Sequence, residues 1–231
     1  MAARLSRVLG VLVPWFNTVV EPDLAALRPA AVTNQTARFT LDAHVVDDIR
    51  ATATKLLACR PDAFLVALAT ESFPNGLAML TRTAEELAQA AGRPVFTASH
   101  ASQAALRALG ARRIAVVTPF DDTSNARVKD AFAAHGFDVV RIAGLACPDL
   151  DSIARVPEAE IRRIFRAADH ADADALVQVG TGLPVLRLVA DLERAHVKPV
   201  VACNAALYWQ ALRETGVADR IAGFGRLLAD H

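Results

Sequence analysis

Apolar and polar positions fall into repeating blocks along this chain. Short unbroken apolar runs end abruptly in small and hydroxyl residues, and each is followed by residues spaced as on one face of a helix. Runs at 8–14, 63–69, 95–97, 113–119, 138–142, 175–179 and 199–202 predict strands, and 37–42 alternates like a strand nearer an edge. Helical spacing opens near Glu21 and covers 45–59, 76–91, 101–109, a stretch from about 125 to 135, 158–171, 184–196 and 205–214. Gly92, Gly110, Gly136 and Gly216 stand where helices stop.

Strands and helices alternate in the same order twice. Residue matches carry the repeat further: Val13-Pro14 returns as Thr118-Pro119, Pro94-Val95 as Pro199-Val200, and Ala105-Leu-Arg107 as Ala211-Leu-Arg213. A period this long indicates two lobes rather than a solenoid, and continuous apolar strands joined through helices indicate parallel sheets with right-handed crossovers. The expected fold is therefore α/β: two pseudo-symmetric, doubly wound parallel-sheet lobes related by duplication, with a cleft between them. The lobes are expected at residues 1–98 plus 217–231, the terminal segment returning to the first lobe, and at 99–216.

Two apolar runs stand out because of what ends them. Asp62-Ala-Phe-Leu-Val-Ala-Leu-Ala-Thr-Glu-Ser72 and Asp174-Ala-Leu-Val-Gln-Val-Gly-Thr-Gly182 occupy equivalent places in the two halves. Ligands in open α/β sheets bind at the carboxyl ends of strands, so facing loops of this kind would make one site from two half-sites.

Composition narrows the function. Lys+Arg and Asp+Glu are 25 each, giving a formal net charge of zero, so there is no electrostatic case for nucleic acid or an anionic membrane surface. No apolar run reaches the roughly 18 residues of a membrane span, and Asn17 and Glu21 interrupt the start too early for a signal peptide. Cys59, Cys147 and Cys203 have neither metal spacing nor even pairing. The expectation is a reduced, cytoplasmic protein that needs no cofactor or metal and has a small molecule as partner, with homo-oligomerisation left open. Gly223-Phe-Gly225 lacks the third glycine of a dinucleotide fingerprint.

Several segments resemble one enzyme family. Val13-Pro-Trp-Phe-Asn-Thr-Val-Val-Glu-Pro22 is similar to the opening loop of maleate cis–trans isomerases. Thr118-Pro-Phe-Asp-Asp-Thr-Ser-Asn-Ala-Arg127, Ile153-Ala-Arg-Val156 and Gly223-Phe-Gly-Arg-Leu227 resemble segments of arylmalonate decarboxylases and maleate isomerases, both in the aspartate/glutamate racemase superfamily. The resemblance implies the two-lobed fold and an isomerase or lyase that moves protons with one or two cysteines at the strand ends. Those positions fall here at Ala69 and Gly180, so the resemblance brings no catalytic thiol with it. It also implies carboxylate binding by Thr70 and the next residue, which here is Glu71 rather than serine, and puts Phe120 where the family has a cleft tyrosine. Asn17 matches the isomerases' carboxylate-binding asparagine.

Each candidate has a structural alternative. Glu71 is read as a general acid or base held in a semi-apolar cleft; otherwise it complements the dipole of the 76–91 helix. Thr70, Thr181 and the backbone N–H groups of Gly180 and Gly182 are read as donors to a substrate oxyanion; otherwise the hydroxyls cap helices, the preferred reading for Ser72. Asn17 recognises a carboxylate or amide, or caps the helix near Glu21. Trp15 and Phe120 exclude water, and Asn125 contacts ligand or braces its loop. Cys203 reads as a small buried hydrophobe, and His100 as the rim of a helix entry. His135, His170 and His196 sit at helix ends. The leading expectation is a cofactor-independent isomerase or lyase acting on a small carboxylate or amide-like metabolite, with Glu71 in place of cysteine chemistry. The alternatives are a non-catalytic small-molecule sensor on this fold and a small-molecule hydrolase.

Overall fold

The computed structural model describes residues 6–231; the first five residues, and with them part of the chain start weighed above as a signal peptide, lie outside the described residues. Two four-stranded parallel sheets contain all the strands among those residues. In the first half, β1 (Arg7–Pro14), β2 (Val32–Phe39), β3 (Ala63–Val66) and β4 (Val95–Thr97) are ordered β2-β1-β3-β4. In the second, β5 (Arg113–Thr118), β6 (Asp138–Gly144), β7 (Ala175–Gln178) and β8 (Val200–Ala202) repeat that order as β6-β5-β7-β8. The duplication is thus a duplication of topology.

Between the strands of the first half run α1 (Val20–Leu27), α2 (Val45–Leu56), α3 (Gly76–Ala91) and α4 (Ala98–Ala108). The second half carries α5 (Asp122–Ala134), α6 (Leu150–Ile153), α7 (Glu158–Ala168), α8 (Val189–His196) and α9 (Cys203–Glu214), and α10 (Arg226–Asp230) follows. None of these helices is long and apolar enough to cross a membrane.

The central strands are apolar because both faces are covered. Along β1 and β3, Val11, Val13, Leu65 and Ala67 join a core that continues through the second half, while Leu12, Phe64 and Val66 point the other way, onto α2 and α3 with Ile49 and Leu80. The α4–α9 pair joins the halves, and α9 also lies against α1, β3 and β4. Burial of this kind contributes about 25 cal/mol per Å² of apolar surface.

Boundaries differ from expectation where the pattern was weak. β2 is an edge strand, but it starts at Val32 rather than 37, pairing with β1 from Arg7↔Val32 to Pro14↔Phe39. After Val32 it runs through Thr33-Asn-Gln-Thr36, four polar residues on an edge that carry no apolar signal. α4 starts three residues early, at Ala98, because Thr97 caps it by accepting from the His100 N–H at 3.3 Å. α6 is stabilised by a capping box between Asp149 and Ser152 and was not expected. The terminal segment, expected to return to the first lobe, has its named anchors on α8 and α9. Glu193 accepts from the Arg226 N–H, and Arg213 donates to His231 O at 2.8 Å and to Val217 O at 2.8 Å.

Candidate active site

The two strand-end loops are shaped by tight turns. After β3 the chain runs through 67–69 into a turn in which Phe73 N donates to Thr70 O at 3.0 Å, and Gly76 N donates to Phe73 O at 3.0 Å. A Cβ on Gly76 would lie 2.2 Å from Thr70 O. Glycine is what lets α3 begin against that carbonyl, and this folds Thr70, Glu71 and Ser72 inward. After β7, Gly180 takes φ +107° with Pro119 packed so closely that a Cβ would meet it at 2.9 Å. Only glycine adopts that conformation readily.

The loops meet across the halves. Asn17 Nδ2 donates to Thr181 Oγ1 at 3.1 Å, and Thr181 Oγ1 donates to Ala67 O at 3.1 Å. The Asn17 carbonyl accepts from Val19 N (2.9 Å) and Val20 N (3.1 Å), capping the entry to α1. Behind Thr181, Asn204 Nδ2 donates both to Thr181 O (3.1 Å) and to Asp23 Oδ2 (2.9 Å). Asp23 is 9% exposed; burial pushes it up to about 6, against the lowering effects of the Asn204 hydrogen bond and the charge of Arg187.

Glu71 is 3% exposed. Burial raises its carboxyl above the usual range, with the adjacent backbone and Ser99 pulling the other way. Its Oε2, together with Thr70 Oγ1 and Ser72 Oγ, is a buried polar atom without a protein hydrogen-bond partner. Three consecutive residues with orphaned polar atoms are uncommon in a native interior, and Glu71 lines a cavity of about 780 Å³ between α3 and α5. Phe73, Pro74 and Leu77 supply its apolar wall and Arg82, Arg127 and His135 its basic groups. Arg127 Nη1 reaches across from α5 to Ser72 O at 3.3 Å.

The other expected residues separate into two groups. Asn17, Thr181 and Gly182 come together, a Cβ on Gly182 standing 3.9 Å from Asn17 Nδ2, and Thr181 reaches Ala67 O just past β3, whereas Glu71 lines the cavity between α3 and α5, which none of those three lines. Phe120 packs on Gly180, its Cζ 3.5 Å from where a Cβ would stand. Trp15 does not wall the site, being 59% exposed and stacked edge-on with Phe16. Asn125 braces its loop, accepting from Thr118 Oγ1 at 2.5 Å and donating to Phe120 O at 3.5 Å. His100 is occupied at both ring nitrogens by Thr97 and Thr81.

Cys203 opens α9 and is buried, its thiol donating to Gln178 Oε1 at 3.5 Å. Burial, with the charges of Glu71 and Asp23, pushes the thiol far above its ordinary range, so it remains protonated. Sequence reasoning missed Asp23, Asn204, Gln178 and Arg127. The available signal was Asn204, a polar residue two positions past the end of β8; Asp23 read only as a first-turn acid.

These features can be set beside known proteins. A model of the arylmalonate decarboxylase family matches residues 9–228. Arylmalonate decarboxylase of Bordetella bronchiseptica is 32% identical over 161 residues, which cover 68% of this chain and 66% of that protein. Maleate isomerase of Nocardia farcinica is 26% identical over 239 residues, 96% of this chain and 95% of that protein. A mutant of the Nocardia farcinica maleate cis–trans isomerase, solved with a covalently bound succinylcysteine intermediate, superposes with a TM-score of 0.87 at 25% identity over 97% of this chain and 99% of that one. Both the family match and the whole-chain superposition cover the two strand-end loops. This chain belongs to the arylmalonate decarboxylase family.

Proposed function

We propose that the chain is a cofactor-independent isomerase or lyase that moves a proton at a carbon beside a small substrate's carboxylate or amide, with the Glu71 carboxyl as the acid–base group. The observation that carries this reading is the orphaned, almost wholly buried Oε2 of Glu71 on the wall of a cavity. A carboxyl raised above its usual range by burial can protonate a developing carbanion and take a proton back in the reverse step. Thr70 Oγ1 and Ser72 Oγ, also without partners, are positioned on the same turn to donate to the oxyanion that forms on the neighbouring carbonyl.

The positions that correspond to the family's cysteines support chemistry without a thiol there. Ala69 offers no nucleophile, and Gly180, at φ +107° against Pro119, has no room for a side chain. Cys203 keeps its proton and its bond to Gln178, which suits packing better than nucleophilic attack. The covalent succinylcysteine recorded for the Nocardia protein therefore has no counterpart in this mechanism.

A sensor on the same fold is the second reading. It is favoured by one observation: the Thr181 hydroxyl proton is spent on Ala67 O and the Asn17 side-chain oxygen on Val19 and Val20, so neither atom is aimed at a substrate in this state. The two readings part in one experiment. The protein is incubated with pooled small carboxylates and amides in D₂O and followed by NMR. Deuterium entering a carbon, or a new product, supports the enzyme and names its substrate; ligand line broadening without exchange supports the sensor.

A further inference from the structure

The buried group that the proton-transfer reading leaves unused is Asp23. It comes from α1 of the first half, yet its hydrogen-bond partner is Asn204 on α9 of the second, at 2.9 Å. The same Asn204 amide nitrogen also holds Thr181 O at 3.1 Å. Thr181 is thereby fixed at its hydroxyl by Asn17 and at its carbonyl by Asn204, both contacts reaching into α1 or the loop before it. An asparagine at position 23 would keep an acceptor for Asn204 without burying a charge, so a carboxylate here is more than a packing solution.

We propose that Asp23 is a positioning residue of the site: as a carboxylate it fixes Asn204, and through Asn204 it holds the Thr181 carbonyl so that the 180–182 backbone faces the substrate. Protonation turns the charged acceptor into a neutral one, weakens its hydrogen bond from the Asn204 amide and loosens the loop. The charged or titratable groups that act on this carboxyl are few. Arg187, beside α8, stabilises the anion. Cys203, on α9, stays a neutral thiol, and Glu71 acts on that thiol from the opposite loop. On α1 itself Glu21 is paired with Arg38, and Arg28 donates to Val32 O.

The site reading is assumed in calling this residue positioning, but the test does not depend on turnover. The Asn204 side-chain amide and the Gly182 backbone amide are followed by ¹⁵N NMR from pH 4.5 to 8 in wild type, Asp23→Asn and Arg187→Gln. The expected result is one shared titration near pH 6 in wild type, its disappearance in Asp23→Asn, and a higher midpoint in Arg187→Gln, whose surface substitution leaves the fold intact. Absence of the titration in wild type, or its persistence unchanged in Asp23→Asn, would overturn the assignment. With a substrate in hand, wild-type turnover falls below about pH 6 and Asp23→Asn loses that acid limb. A protein with no turnover would sink the functional reading while leaving the NMR result to decide this one.

Discussion

Asn17 Nδ2 and Thr181 Oγ1 lie 3.1 Å apart, joining the first strand-end loop of one half to the third strand-end loop of the other. Each is 6% exposed or less, so the bond is made away from water and fixes how the halves meet. The join continues to the end of β3, where Ala67 O accepts from the same Thr181 hydroxyl at 3.1 Å, so the candidate loops of the two sheets are tied together.

Asn17→Ala removes that bond and the cap on Val19 and Val20 together. It leaves Thr181 without its donor and should cost about 2 kcal/mol of stability. Urea unfolding checks this, and Asn17→Ser, which keeps an oxygen for the cap, should recover part of the loss.

Gly180→Ala or Gly180→Cys forces a Cβ to within 2.9 Å of Pro119 at a φ of +107°. Both should destabilise by about 1–3 kcal/mol. Ala69→Cys, in a buried position of ordinary backbone, should fold. Equal thermal stability of the position-180 variants and wild type would contradict the strained geometry.

Asp23 makes stability depend on pH in a definite direction. Its folded pKa of about 6 lies above the ordinary 3.8, so between those values the folded protein holds a proton that the unfolded chain has released. Stability from this group is greatest at low pH, falls as pH rises from about 4 to 6, and then levels. The span is at most about 3 kcal/mol. Asp23→Asn should therefore gain on wild type between pH 4.5 and pH 7.5 in urea unfolding, a comparison in which a parallel pair of curves would count against the buried charge.

Arg127→Ala cuts the contact from α5 to Ser72 O and opens the cavity wall beside Glu71. Ligand affinity should fall about tenfold or more, the equivalent of one charge-assisted hydrogen bond of about 1.5–3 kcal/mol. Calorimetry with the substrate identified by NMR measures it.

Much of the fold was legible because fully buried parallel strands read as apolar runs and their carboxyl ends break into Thr, Ser and Gly. The duplicated order β-α-β-α led directly to two sheets of the same topology. β2 was blurred because four polar residues, 33–36, follow Val32 on an edge. The candidate site could be read only as far as strand ends reveal it: Thr70, Glu71, Gly180, Thr181 and Gly182 are candidates because all come from runs that stop abruptly. Asp23 and Asn204 were not, because each lies within the first turns of a helix and their pairing spans the two halves; a one-dimensional pattern carries no signal for which helices meet. Trp15 misled for a related reason. A large aromatic beside a site residue looks like a wall, yet its neighbour Asn17 turns inward while Trp15 turns out.

The most direct test of the central claim is deuterium exchange in Glu71→Gln. The substitution keeps the shape of the side chain and removes the proton that can be given or taken. With the substrate found in D₂O, wild type should incorporate solvent deuterium or form product, and Glu71→Gln should lose that rate by about 10²–10⁴-fold while ligand line broadening stays the same. Exchange at the wild-type rate in Glu71→Gln would contradict the account and return the chemistry to another group.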